Sequence, residues 1–398
     1  MTEQASNKLD RLRDEIRRLD KEGTSYLKER IRLANEIGLY KRENSLPVYD
    51  SNREQLVTGA IVNDFDTSMR DRVSSIMSSI MRVSREVQYD LMISEDTGWE
   101  PGTLIAEADD SLPAELRICC QGTTGSYSHL AAAYGFPGCV CLPALTFEEC
   151  MLRLSEGSCD IALLPLENTT AGTVNDVYDL MTKYDFYIAR AITVPIHHKL
   201  VVLPGTDVYR LRTVLSHPQA LAQCSRYIRS RGLDQIAVDN TAFAVSRLKE
   251  IGDRTYCAIA SETAGSANNL EILDEDICDS VHNQTRFVAV TRKPVIPRDA
   301  NRISISFRLP HQSGSLANVL SIIAERGLSL TKIQSRPVSD KPWEYSFWAD
   351  LAAERDSREA LLTLYQLSRE LPYLKFMGWY DEQYNPLGLI GKTDDRSR

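Results

Sequence analysis

At 398 residues the chain is too long for one ordinary hydrophobic core, and its 43% hydrophobic and 25% charged residues describe a soluble assembly of two or three domains. A formal net charge of −9 excludes nucleic acid as a partner while leaving room for local cationic pockets that bind small acidic metabolites. No window approaches the roughly 18 apolar residues that span a bilayer, and residues 1–20 are charged and helical in pattern rather than leader-like, so no membrane association and a cytoplasmic location are expected.

Between residues 9 and 92 apolar side chains recur at helical spacing: Leu9, Leu12, Ile16, Leu19, Leu27, Leu33 and Ile37, then Val57, Ile61 and Phe65, then Val73, Ile76, Ile80, Val87 and Leu91. This predicts three helices. They break at Asn44-Ser45-Leu46-Pro47, where proline forbids continuation, and near Asp66-Thr67-Ser68, where a capping residue restarts the chain. Gly23 and Thr24 interrupt the first stripe and predict a local weakening. Three unequal helices over 1–94 bury little surface alone, so this all-α domain implies an intertwined dimer. Residues 95–114 are polar and turn-rich and read as a linker.

From 115 to 294 short apolar strands alternate with helical patterns: strand 117–120, a helix from Ser128, strand 160–164, a helix from Thr173, strands 201–203 and 213–215, a helix from Pro218, and strands 256–260 and 286–290. That alternation predicts an α/β domain in two lobes. After Pro294-Val295-Ile296-Pro297 the order is strand 302–308, helix 316–326, strands 330–335 and 345–351, helix 358–371 and strand 376–380. This is a βαββαβ, ferredoxin-like α+β unit over 300–381. Residues 382–398 read as a frayed polar tail. All nine cysteines lie between Cys119 and Cys278, mostly in apolar segments, which suits buried reduced thiols. Cys139 and Cys141 have no second pair or histidine beside them, so packing is favoured there and no metal is expected.

In the helical domain Arg30 and Lys41 are eleven residues apart, which returns to within about 20° of one face, with Ala34 and Gly38 between them. Asp50, Arg53 and Glu54 open the second helix, and Ser84 and Gln88 share a face of the third at i,i+4. Spacing alone favours a solvated face of ordinary ion pairs. The run from Leu12-Arg13-Asp14-Glu15-Ile16 through Arg30, Glu36-Ile37-Gly38, Lys41 and Pro47-Val48-Tyr49-Asp50 to Arg53-Glu54, however, resembles the all-helical chorismate mutase family. The resemblance implies that Arg13 from a partner chain and Arg30 bind the two carboxylates of chorismate, supported by Asp50, Arg53 and Ser84. It also implies that Lys41 and Gln88 donate to the ether oxygen that gains charge as its bond breaks, and that Glu54 holds a substrate hydroxyl. A pericyclic rearrangement needs no nucleophile or cofactor, only preorganised shape and charge. Gly23-Thr24-Ser25 departs from the aliphatic residues usual in that family's long helix.

In the α/β domain four loops stand where a strand hands over to a helix or returns to the sheet: Gly122-Thr123-Thr124-Gly125-Ser126-Tyr127-Ser128-His129, Glu167-Asn168-Thr169-Thr170-Ala171-Gly172, Ser216-His217-Pro218-Gln219 with Gln223, and Asn283-Gln284-Thr285-Arg286-Phe287. The glycines of the first allow close backbone approach, and its hydroxyls and N–H groups make an anion seat, without the lysine of a Walker loop. Each loop alone reads as an ordinary turn or cap. Together, in this order, they resemble the prephenate dehydratase domain, with Thr285-Arg286-Phe287 the most specific part. The resemblance implies a periplasmic-binding-protein-like fold with prephenate in the cleft. Thr285 is then the proton donor to the leaving ring hydroxyl, Ser126, Asn168, Ser216 and Gln223 position the substrate, and Arg286 lies near a carboxylate. Glu167 is either an orienting base or a capping carboxylate. His129, His217 and His282 read as structural, and His197-His198 as loop or hinge.

The last unit resembles the ACT domain, which implies phenylalanine bound between twinned copies. Ser313-Gly314-Ser315-Leu316 and Gln334-Ser335-Arg336-Pro337 stand where relatives carry Gly-Ala-Leu and Glu-Ser-Arg-Pro. Gly314, Leu316, Gln334, Ser335 and Arg336 are thus the allosteric candidates, with Gln334 removing a negative charge. The whole resembles a bifunctional chorismate mutase/prephenate dehydratase acting as a homodimer or homotetramer. Two alternatives compete with it: a monofunctional dehydratase whose helices only dimerise the chain, and an amino-acid sensor without catalysis.

Overall fold

The computed structural model describes residues 3–384 apart from 276, 311 and 339–343. Helices α1 (Glu3–Glu43), α2 (Ser51–Val62) and α3 (Thr67–Met92) form the N-terminal unit. Ser45, in the left-handed region at φ 52, turns the chain after α1. The Asp50 side chain caps α2 by accepting from the backbone N of Arg53 at 3.0 Å. α1 runs unbroken through Gly23, where nothing lies within 4 Å of a notional Cβ. Over its N-terminal part the apolar stripe finds no cover among the described residues: Leu9, Leu12, Ile16, Leu19 and Leu27 are 45–57% exposed. Only the C-terminal part packs on α3, through buried Ala34 and through Gly38, whose missing side chain lets Gln88 and Leu91 close in.

The expected linker is partly structured. α4 (Glu100–Ala106) follows buried Trp99, whose ring meets Tyr365 edge-on at 5.2 Å. A lone aromatic with a partner so distant in sequence leaves no periodic signal.

The first α/β lobe holds β1 (Arg117–Gln121), α5 (Tyr127–Gly135), β2 (Val140–Ala144), α6 (Phe147–Ser155), β3 (Ile161–Asn168), β4 (Gly172–Thr173), α7 (Asn175–Lys183) and β5 (Tyr187–Pro195). The second holds β6 (Lys199–Val202), β7 (Thr213–Ser216), α8 (Pro218–Gln223), α9 (Ser225–Arg231), β8 (Asp234–Ala237), α10 (Thr241–Ile251), β9 (Tyr256–Ala260), α11 (Glu262–Ala267) and β10 (Glu271–Asp274), before β11 (Gln284–Thr291) returns to the first. The second lobe's sheet runs β10-β6-β9-β7-β8, separate from the first lobe's. Sequence alternation found the two lobes but missed several elements, among them β5, whose Arg190 and Thr193 break its apolar run.

The C-terminal unit is β12 (Arg302–Arg308), α12 (Ser315–Glu325), β13 (Ser329–Pro337), β14 (Tyr345–Ala352), α13 (Arg358–Glu370) and β15 (Tyr373–Tyr384). Its sheet is not independent. β15 pairs antiparallel with β12, then continues over 381–384 in parallel register with β5, giving the order β13-β14-β12-β15-β5-β11-β3-β1-β2. Gly378, at φ 145, makes the junction, because a Cβ there would collide with the Ile188 backbone. The expected tail therefore begins as strand at 382–384, and 385–398 lie outside the described residues. On the other face of the unit, α3 docks on α12 and α13. Tyr89 meets Tyr365 edge-on at 5.8 Å, and ion pairs join Arg82 to Glu325, Arg85 to Glu370 and Asp90 to Arg326.

Candidate active sites

β3 ends on Asn168, and Thr285, the second residue of the antiparallel β11, stands directly opposite. The buried Asn168 amide nitrogen donates within 2.9 Å of Thr285 Oγ1, 2.8 Å of Asn283 Oδ1 and 3.0 Å of the Gln284 carbonyl. Its Oδ1 accepts from the backbone N–H groups of Thr170 and Ala171 at 3.0 and 2.9 Å, from Thr170 Oγ1 at 2.7 Å and from Gln223 Nε2 at 3.2 Å. With backbone donors on one side and carbonyls on the other, the amide has a single orientation. Thr285 therefore accepts from Asn168, and among the described residues its own proton has no acceptor. That proton is free for a ligand.

The network crosses between the lobes. Gln223, at the end of α8, spends its amide nitrogen on Thr170 Oγ1 at 2.6 Å and on Asn168, so its Oε1 must accept from His198 Nε2 at 2.9 Å. Tyr127 donates to the His197 carbonyl at 2.8 Å, with its ring edge-on to His198. Gly125 (φ 88) abuts Ala264, where a Cβ would come within 2.7 Å of the backbone, and Ser261 Oγ donates to its carbonyl at 2.6 Å. Such tight approach across the cleft requires glycine.

His198 is 3% exposed, and burial pushes its pKa down to about 4 from the ordinary 6.5, with the Gln223 bond opposing. Between those values the unfolded chain binds a proton that the folded chain refuses, so stability falls as pH drops through 6.5 towards about 4 and levels off below. The expected loss is on the order of 3 kcal/mol, read as a falling denaturant midpoint. A His198→Gln variant should flatten that slope, and an unchanged slope would assign it to other groups.

In the helical unit the face of α1 bearing Ala34 and Gly38 meets α3, so Arg30 and Lys41 flank that contact. Lys41 Nζ donates to the Val48 carbonyl at 2.8 Å and keeps two protons for other acceptors. Burial pulls its pKa below the ordinary lysine value, opposed by Asp50 and Glu54. Buried Gln88 donates to the Ser84 carbonyl at 3.1 Å, while its Oε1 has no partner among the described residues. Ser84 Oγ bonds back to the Ile80 carbonyl at 2.9 Å, and Glu54 accepts from Arg85 at 2.5 Å. Arg30 Nε is likewise buried and unpartnered, with Nη1 3.3 Å from the Tyr26 hydroxyl. Arg53 is exposed. Arg13, paired with Asp10 at 3.2 Å, lies about 25 Å along α1 from Arg30 at 1.5 Å per residue, so within one chain it does not join the others.

In the C-terminal unit Gly314 (φ 85) and Leu316 line a cavity of about 700 Å³ with Gln312, Tyr345, Phe347 and Tyr373. Gln334, Ser335 and Arg336 instead sit on β13, the edge strand, and Arg336 pairs with Asp179 of α7 at 2.8 Å. These three do not line the cavity, although Ser335 pairs in register with its wall residue Phe347.

Family models described as chorismate mutase type II, prephenate dehydratase and ACT domain match residues 12–89, 118–295 and 303–369. A chloroplastic arogenate dehydratase/prephenate dehydratase of Arabidopsis thaliana is 35% identical over 298 residues, 70% of this chain and 72% of that protein. A bifunctional chorismate mutase/prephenate dehydratase of Buchnera aphidicola is 29% identical over 391 residues, 96% of this chain and 99% of that protein. The chain belongs to the bifunctional chorismate mutase/prephenate dehydratase family. Among solved structures, the prephenate dehydratase of Arthrobacter aurescens in complex with L-Phe is similar at a TM-score of 0.62 and 26% identity, over 67% of this chain and 90% of that one.

Within the dehydratase domain the structure gathers Asn168, Gln223 and Thr285 and turns other expected residues away. Arg286 follows Thr285 on a strand, so it points to the opposite face. There it is ion-paired with Asp350 at 2.8 Å and Glu382 at 2.6 Å and bonded to Tyr380 at 3.0 Å, which leaves no charge for a substrate carboxylate. Glu167, beside Asn168, turns to the same side and pairs with Lys332, so it is neither base nor cap. Ser216 is fully buried and donates to the Ile259 carbonyl at 2.7 Å, tying β7 to β9 instead of meeting the network. Ser126 caps α5, accepting from His129 N at 3.3 Å, and acts by shaping its loop. His217 caps α8 in the same manner.

Sequence reasoning missed His198 and the Asn283 and Thr170 side chains as members of this network, and Arg85 in the mutase domain. Thr170 and Asn283 stood inside the recognised loops, where counting possible partners for the Asn168 amide would have pointed to them. His198 and Arg85 carried no local signal, since their partners come from other elements.

Proposed function

We propose that the helical domain rearranges chorismate to prephenate and that the α/β cleft converts prephenate to phenylpyruvate, with phenylalanine sensed by the ACT domain. The observation that carries this is the Thr285 hydroxyl, which accepts from Asn168 and has no acceptor for its own proton among the described residues. In the mutase, Arg30 and Arg13 of a second copy take the carboxylates. Lys41 and Gln88 donate to the ether oxygen, where charge builds as the C–O bond breaks. In the dehydratase, the ring C–O bond breaks and the hydroxyl leaves as water, with a proton delivered through Thr285. The C–C bond to the ring carboxylate breaks, carbon dioxide leaves, and its electron pair completes the aromatic ring. A threonine is a weak acid, so the hydrogen bond it accepts from Asn168 stabilises the charge that builds on Oγ1 as its proton is given up, and that proton is replaced from solvent.

The bare stripe of α1 supports a homodimer or homotetramer, because burying each such side chain is worth roughly 1.5–3 kcal/mol. Among the described residues no helix is long and apolar enough to cross a membrane, and a cytoplasmic enzyme fits this chemistry. We take the domain bounds as 1–94, 115–294 and 300–381, with 95–114 as a partly helical connection. The test is purified protein given chorismate, with prephenate and phenylpyruvate followed over time and phenylalanine titrated. The expected course is transient prephenate, then phenylpyruvate, slowed by phenylalanine. A flat response to saturating phenylalanine removes the regulatory role. Prephenate turnover without chorismate consumption would favour the monofunctional alternative.

A further inference from the structure

Arg85 is among the most deeply buried charges of the mutase domain, at 5% exposure, and it faces two ways. Its Nη1 donates to Glu54 Oε1 at 2.5 Å. Its Nε and Nη2 grip Glu370 of α13 in the ACT domain as a fork, at 2.8 and 3.1 Å, while the guanidinium carbon stands 5.0 Å from the centre of the Tyr49 ring. The Glu370 side chain is 3% exposed and also accepts from Gln366 at 3.0 Å, so it is a fixed anchor. Glu54 is 25% exposed, and Arg85 engages only one of its oxygens.

We propose that Arg85 is a positioning residue of the mutase site, holding the Glu54 carboxylate for the substrate hydroxyl because the docked ACT helix holds Arg85. This rests on the mutase reading of the helical domain. A forked guanidinium–carboxylate pair removes most of the rotamer freedom of the arginine. Glu54, on the first turn of a short helix, inherits that fixed position. Without the Glu370 anchor the buried cation has one carboxylate left and is drawn towards it, which moves Glu54 off its binding geometry. Chorismate affinity is therefore set in part by a residue of another domain that never touches chorismate.

The test is Glu370→Gln in the full chain, assayed separately for chorismate rearrangement and for prephenate conversion. The expected result is a KM for chorismate raised by about tenfold, with kcat near that of the unmodified protein and dehydratase kinetics unchanged. In a Glu54→Gln background the same substitution is expected to have no further effect on KM, since the two act through one pair. An unchanged KM overturns the proposal, as does an equal rise in both backgrounds or a parallel loss of both activities, each of which leaves Arg85 as domain packing only. Absence of mutase activity in the unmodified chain would remove the mutase reading itself, a different failure that the same assays separate.

Discussion

Replacing Thr285 with valine is expected to lower dehydratase turnover by roughly two to four orders of magnitude while chorismate rearrangement stays at the level of the unmodified chain. Valine matches threonine in shape, and Asn168 keeps Asn283 and the Gln284 carbonyl as acceptors, so the strand pairing at this end of β11 survives. What is lost is a hydroxyl proton that has no acceptor among the described residues. The measurement is steady-state phenylpyruvate formation from prephenate, with mutase activity as the control for folding. Turnover near that of the unmodified chain would move proton delivery to another group.

Replacing Lys41 with methionine is expected to lower chorismate rearrangement by about 10²–10³-fold and to leave conversion of supplied prephenate intact. The ammonium is half-withdrawn from water, where a charge placed against a developing oxyanion is worth more than in bulk solvent. Methionine keeps the length of the side chain and removes the charge. The depressed pKa adds a second readout, because the cation is lost as pH rises through its folded value. The alkaline limb of the mutase rate should then lie at lower pH than an ordinary lysine would give. A rate that survives the substitution would take Lys41 out of the mechanism.

The two experiments are separable because the two clusters share no residue. The connection between the domains runs through the ACT unit, which touches α3 through Arg82, Arg85 and Asp90 and the dehydratase sheet through Arg286, Glu167 and the β15–β5 pairing. Arg286 adjoins Thr285 in sequence yet belongs to this connection, so the three-residue motif combines a chemical residue with a structural one.

Local chemistry determined much of this protein from the sequence alone. Proline at 47 and the helical spacing of apolar residues set three helices, and strand and helix periods in order set the βαββαβ unit, because both signals are complete within a few turns or a few residues. Asn168, Gln223 and Thr285 were legible only through the resemblance to the prephenate dehydratase domain, since each loop alone reads as an ordinary turn or cap, although loops at the strand ends of an open sheet are where a crevice forms. Tertiary structure alone decided which face each residue serves. β11 is buried on both sides, so its pattern does not say that Thr285 meets the cleft and Arg286 the ACT domain. Nor does any local pattern join Trp99 to Tyr365, β15 to β5, or Arg85 to Glu370, since the partners of each contact are supplied by segments far away along the chain.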